Sequence, residues 1–200
     1  MEEINRILEL FDSADKWRAF IELSSKRNDL VDELYSRFLN DFRRISGHHL
    51  VDSGWYLISN NKHIGIRPIG TQLIGVLIEW AWWNNPATPW GRRGAFIYID
   101  CDHTNSNKLF SMINAEKNKL PLQDYEENYQ NHQWLPFVKQ IPSAMFTVDG
   151  NSNDCLTSFE DCLYMAKDNA SLLAQNLWDE VFQPFASKEI ADIMLGFLQE

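Results

Sequence analysis

Residues 72–83 read QLIGVLIEWAWW, a nearly continuous run of apolar and aromatic side chains with Gly75 and Glu79 inside it. A strand with one face in water alternates apolar and polar residues. This run does not alternate, so both of its faces must be covered and it belongs in the middle of a sheet. Residues 95–101 (AFIYIDC) predict a second buried strand. Ahead of them, residues 54–59 and 63–69 are short β-prone runs joined by Asn60, Asn61 and Lys62, a hairpin pattern. Pro68 lacks an N–H for the ladder and is expected on an edge strand or at a bulge. Gly65, Gly70 and Gly75 match neither the dinucleotide fingerprint nor the phosphate loop, so close strand packing or bulges are their expected role. Residues 84–94, rich in Asn, Pro and Gly, predict a loop.

On either side of this block the period changes to that of helices. Ile4, Ile7, Leu8 and Phe11 share one face of a short helix, and Asp12 or Ser13 can cap a second that carries Trp17, Phe20 and Ile21. After a polar break at 24–28, a longer helix carries Leu30, Val31, Leu34, Tyr35, Phe38, Phe42 and Ile45 and ends near Gly47. Beyond the strands, Thr104 can cap a helix presenting Leu109, Phe110 and Ile113. Residues 121–142 hold three prolines and predict turns and irregular chain, with a last strand at 144–148. Phe159, Leu163, Ala166, Ala170, Leu173, Leu177 and Val181 then mark one face of a long amphipathic helix. Pro184 ends it, and Ser187 caps a short terminal helix. Helices, then strands, then helices predict an α+β fold with a central, mainly antiparallel, Trp-rich sheet. One domain over 1–200 is expected, with a helical N-terminal part at 1–47, a sheet-containing core at 54–148 and C-terminal helices at 155–200.

Charge narrows the function classes. The chain carries a formal net charge of −10. Residues 151–200 hold nine acids and two bases, whereas residues 51–100 hold three acids and four bases. Such a chain does not present the clustered Lys and Arg that track phosphates, so nucleic acid is not the expected partner. Cys101, Cys155 and Cys162 form neither an even disulfide framework nor a Cys-x-x-Cys metal pair. The acidic start and the absence of a long apolar run predict a cytoplasmic protein with no membrane association. No nucleophile elbow and no zinc spacing occurs, so neither a cofactor nor a metal is expected.

Three groups of residues remain as candidate sites. Trp80, Trp82, Trp83 and Trp90 cluster with Arg92 and Arg93, and Trp83 and Trp90 beside a loop can form an aromatic recognition surface. On an unbroken helix, Asp161, Asp168 and Asp179 fall within about 20° of one another and form an acidic stripe. Together these seven residues (Trp83, Trp90, Arg92, Arg93, Asp161, Asp168 and Asp179) predict a non-catalytic domain that binds a protein partner of basic character. An immunity or antitoxin-type protein of bacteria is the specific form expected. The alternative is a metal-dependent nuclease or hydrolase in which Glu79, Asp100 and Asp102 converge from strand ends on Mg²⁺. Against it, Ala81 stands where a PD-(D/E)XK nuclease carries its catalytic lysine. A second alternative is a small-ligand or carbohydrate pocket lined by Trp83 and Trp90.

Overall fold

The computed structural model describes residues 13–60, 63–79, 94–100, 103–127, 134–141, 163 and 167–199. Ser13 caps α1 (Ala14–Ser25), its hydroxyl accepting the Lys16 N–H at 3.3 Å. Only Lys26 separates α1 from α2 (Arg27–His49), so the polar break at 24–28 is a one-residue joint. From Leu34 onward α2 buries Leu34, Phe38, Leu39, Phe42 and Ile45, the apolar stripe its sequence carries. Leu30, on the same stripe, stays exposed because the first two turns of α2 extend past the core.

Strands β1 (Trp55–Ser59) and β2 (His63–Pro68) form the hairpin, and Asn60 closes it: its N–H donates to His63 O and its Oδ1 accepts the His63 N–H. Next come β3 (Ile74–Glu79) and β4 (Gly94–Ile99), then α3 (His103–Ala115). This helix begins one residue before Thr104, which therefore lies in the first turn and not at the cap. A two-residue strand β5 (Glu126–Glu127) and β6 (Phe137–Gln140) complete a six-stranded sheet of order β1-β2-β3-β4-β6-β5. Every neighbouring pair is antiparallel. Strands β3 and β4 are central, as their unbroken apolar runs require. Pro68 sits at the end of β2 where pairing with β3 has already stopped at Ile66↔Val76, so its missing N–H breaks no bond to β3. Gly70 lies in the following turn at φ +100°, a conformation open to glycine.

Strand β6 lies within the stretch expected to be irregular. Pro136 directly precedes it and Pro142 follows two residues after its end, and four residues between them suffice to pair with β4. The strand expected at 144–148 lies outside the described residues, as do the first helix at 4–11 and residues 84–93 of the loop expected at 84–94; its last residue, Gly94, already belongs to β4.

The C-terminal helices are present. Asn169 caps α4 (Ala170–Leu177) through its side chain, and residues 167–168 turn ahead of it. The apolar stripe thus begins a new helix at Ala170 where the pattern predicted an unbroken one. After Leu177 the helix widens into a π-turn, with Gln183 N–H donating to Trp178 O at 2.9 Å. Ser187 caps α5 (Lys188–Gly196) as expected.

Period-two alternation sends Trp55, Ile64, Ile66, Ile74, Val76, Ile78, Ala95, Ile97, Ile99 and Phe137 to one face of the sheet. There they form the main core with α2, α3, α4 and α5. Trp55 ties the edge strand to this layer by donating its indole N–H to Ser187 O at 2.9 Å. Lys139 reaches toward Glu180 (2.5 Å) and Asp124 (3.5 Å), joining β6 to the π-turn. Among the described residues, no helix is long and apolar enough to cross a membrane.

Candidate functional site

The opposite face of the sheet carries the other residues of each strand. Leu77, Phe96, Tyr98, Leu135 and Val138 make a small second core there, with Ile58 packed against it. One row across the strands organises the chemistry. Tyr56 pairs with Arg67 across β1–β2, and Gly75 pairs with Tyr98 across β3–β4. A Cβ on Gly75 would stand 2.5 Å from Tyr98 Cε1 and 2.6 Å from Ile66 O. The tyrosine ring therefore lies across the glycine, with the positive charge of Arg67 near its hydroxyl. The Arg67 guanidinium also stacks on Tyr56, with Cζ 4.4 Å from the ring centroid. Gly65 does the same service for Leu77 in the neighbouring row, where an added Cβ would meet Val76 O at 2.5 Å. Two glycines on one face let large side chains lie flat, and the flattening leaves a groove.

That open groove has a volume of about 560 Å³. The described residues on its polar side are His63, Arg67, Gln72, Glu79, Asp100 and Tyr98, and the indole of Trp134 is 46% exposed beside them. Burial pushes the Tyr98 hydroxyl above its usual range, with Asp100 adding to the effect and Arg67 opposing it. Tyr98 is thus a neutral phenol at pH 7. His63 is held below the usual imidazole range by burial. Asn60 explains how the neutral ring is received: its Oδ1 takes the His63 backbone N–H, which leaves Nδ2 facing His63 Nε2 at 3.3 Å and calls for an acceptor there. With His63 neutral, two carboxylates face one guanidinium and the lining has a net negative charge.

The depressed imidazole has a measurable consequence. A group whose folded pKa lies below its unfolded value supports the fold above the unfolded pKa and withdraws that support as pH falls through the folded one. The unfolded value is about 6.5. The melting temperature is therefore expected to fall between about pH 7 and pH 5, and to fall less in His63→Gln, as measured by thermal unfolding at each pH. Equal pH dependence in the two proteins would refute the assignment.

Glu79 and Asp100 both line the groove, but antiparallel pairing puts them at opposite ends of it. Glu79 follows the pair Ile78↔Ala95, whereas Asp100 N–H donates to Leu73 O beyond Ile74↔Ile99. At about 3.4 Å per residue, six residues separate their positions by roughly 20 Å. Mg²⁺–oxygen distances are near 2 Å, so these two carboxylates do not share one ion. Asp102, the third member of that set, lies outside the described residues. No group of three or more His, Cys, Asp or Glu placed to hold a metal ion occurs among the described residues.

Trp80, Trp82, Trp83, Trp90, Arg92 and Arg93 also lie outside the described residues, as does Asp161. Asp168 and Asp179 are exposed, but the turn at 167–168 and the Asn169 cap place Asp168 ahead of the helix. The extrapolation at 100° per residue from Asp168 to Asp179 therefore fails. Asp179 accepts a hydrogen bond from Gln175 at 2.8 Å. His49 stacks on Trp178 with ring centroids 5.3 Å apart, a structural placement at the end of α2.

Tyr98, Gln72, Trp134, Arg67 and His63 line the groove, and none of them stands in a motif that marks it as a site residue in the sequence. One signal was available: two glycines in adjacent strands, both pointing away from the apolar alternation, mark where a side chain can lie flat. The fold and groove define an α+β domain with one sheet face given to the core and the other presenting an aromatic, charged cleft. No family model, curated protein or solved structure matches the chain.

Proposed function

We propose that this is a protein-binding domain that takes a basic segment of its partner into the groove on the open face of its sheet. The groove itself carries this reading. Carboxylates at its two ends, Glu79 and Asp100, flank the aromatic surface of Tyr98 and Trp134, an arrangement that suits Lys or Arg side chains approaching an aromatic ring. The Arg67 guanidinium is stacked on Tyr56, and the two carboxylates of the groove outnumber it. The chain's net charge of −10 would steer a basic partner toward it. In its specific form the partner is a toxin enzyme, and the domain acts as an immunity or antitoxin-type protein by covering a basic active site.

The test is capture by immobilised wild-type protein alongside Asp100→Lys and Trp134→Ala. A basic protein should be retained by the wild type at low salt, released as salt shortens the Debye length, and bound at least about tenfold more weakly by each variant. Undiminished capture by both variants would place the binding surface elsewhere.

One observation favours a second reading. A volume of about 560 Å³ and an exposed indole beside mixed donors and acceptors also suit a small neutral ligand such as a sugar. Trp134 takes the role the sequence suggested for Trp83 and Trp90. Such a ligand would shift tryptophan fluorescence in the wild type and less so in Trp134→Phe, and silence across a sugar panel removes this reading.

A further inference from the structure

We infer that the open edge of β1 pairs antiparallel with β1 of a second copy of this chain, about a twofold axis beside Leu57 and normal to the sheet. Strand β1 ends the sheet on its side, and its neighbour is β2. Two hydrogen bonds, Ile69 N–H to Gly54 O (2.8 Å) and Asn60 N–H to His63 O (3.0 Å), fix which residues face β2. The inward residues of an antiparallel ladder alternate with outward ones. Tyr56 and Ile58 therefore turn their N–H and C=O groups to β2, and Trp55, Leu57 and Ser59 turn theirs out. Ser53 Oγ takes the Trp55 N–H at 3.2 Å. Among the described residues, nothing takes the Leu57 or Ser59 N–H, or the outward carbonyls of Trp55 and Leu57. From Tyr56 to Ser59 the strand is only partly buried.

A row of bare backbone donors and acceptors is matched by another strand, which sets the chemistry of the occupant. Local charge excludes the basic segment proposed for the groove. Residues 53–68 carry Lys62 and Arg67 and no acid, and Arg43 reaches this hairpin at Ser59 Oγ (3.3 Å). A strand that settles here is neutral or acidic. The sequence of β1, WYLIS, is neutral and belongs to a chain of net charge −10. It has neither the charge nor the proline with which edge strands ordinarily prevent pairing. Turned about Leu57, it is complementary to itself. Leu57 N–H donates to Leu57 O of the other copy, Ser59 N–H donates to Trp55 O of the other copy, and symmetry repeats both bonds. This register overlaps the whole strand and uses both of its open N–H groups. On the groove face, Tyr56 of one copy stands opposite Ile58 of the other, an aromatic beside a β-branched side chain. Ile58 lines the groove, so each copy adds a tyrosine to the rim of the other's groove. With the axis normal to the sheet, both grooves open on the same side.

The test is sedimentation equilibrium of the full chain between about 1 and about 100 µM, the range in which so small an interface dissociates. The wild type should show a monomer–dimer equilibrium. Leu57→Pro and Ser59→Pro each remove an outward N–H and leave the β1–β2 ladder whole, so each should weaken dimerisation at least about tenfold. Ser59→Ala, which keeps the N–H and loses the hydroxyl, should dimerise like the wild type. Ser59 ends the strand, so its proline variant disturbs the fold least, and circular dichroism should show unchanged strand content. Register is read by mild oxidation of cysteine variants, above the background of wild type. Leu57→Cys should cross-link, because that position meets itself at a Cα separation of about 5.5 Å. Ser59→Cys should not, because its two copies stand roughly 14 Å apart. A wild type that stays monomeric throughout, as it would if the edge were kept for another protein's strand, overturns the inference. So do folded proline variants that dimerise normally, or cross-linking at Ser59→Cys as readily as at Leu57→Cys.

Discussion

Replacing Phe42 with alanine should destabilise the protein by about 3–5 kcal/mol, the cost of emptying a fully enclosed aromatic site. Phe42 has no solvent exposure. Its ring meets Phe182 edge-on at 5.4 Å, Trp178 edge-on at 5.9 Å and Phe38 at 5.9 Å. These contacts join α2 to the π-turn of the C-terminal helices, so the loss is shared by two segments distant in sequence. Oriented aromatic pairs add about 0.5–1.5 kcal/mol each beyond the area they bury. Phe42→Leu keeps most of the volume and should cost less than about half as much. Urea unfolding should show a lower midpoint at unchanged slope, and the melting temperature of Phe42→Ala should fall by roughly 10 °C. A loss below about 1 kcal/mol would mean that the cavity closes freely, and that α2 and the π-turn are not locked together as the ring geometry indicates.

The second large effect is expected at Gly75. Elsewhere in a strand, glycine to alanine is stabilising by about 0.5–1 kcal/mol, because glycine gives up more freedom on folding. Here the added methyl would stand 2.6 Å from the backbone oxygen of Ile66 and 2.5 Å from the Tyr98 ring. The carbonyl belongs to the neighbouring strand and cannot rotate away, so either the β2–β3 spacing or the tyrosine must move. Overpacking of this kind costs about 1–3 kcal/mol and outweighs the entropic gain. The larger consequence is for the groove. Moving Tyr98 takes its hydroxyl away from Arg67 and removes the aromatic surface between Glu79 and Asp100. On the proposed binding function, Gly75→Ala should therefore lose binding almost completely while still folding. A variant that binds partner normally would show that Tyr98 is not part of the surface. Gly47→Ala, at a position with nothing within 4 Å of the added Cβ, is the matched control.

What could be read in advance follows from the range of each interaction. Ser13 and Ser187 were identifiable as caps because a cap bonds to the N–H three residues on. The buried side of α2 and the covered faces of β3 and β4 were identifiable because period and burial are local patterns. The strand at Phe137–Gln140 was not, because its own residues carry little signal and the flanking prolines point to loop; pairing with β4 decides it. Asn169 was hidden inside an apolar repeat that continues on both sides of the cap. The candidate site was legible only in fragments. Glu79 and Asp100 were recognised as carboxylates at strand ends, but whether they meet depends on strand direction. Antiparallel pairing sets them at opposite ends of one groove.

The covered run at residues 74–78 shows where the division falls. The sequence alone determined that this segment is a central strand, that helices flank the sheet, and that the chain carries excess negative charge, because composition and short-range periodicity are properties of neighbours. Only the tertiary structure decided which side chains meet on the second face of that strand. It aligned Arg67 with Tyr56, laid Tyr98 across Gly75 and brought Trp134 beside Asp100. Those juxtapositions depend on register between strands, and a shift of one residue would send every side chain to the other face. Register is fixed by the whole core at once, so no segment read by itself contains it.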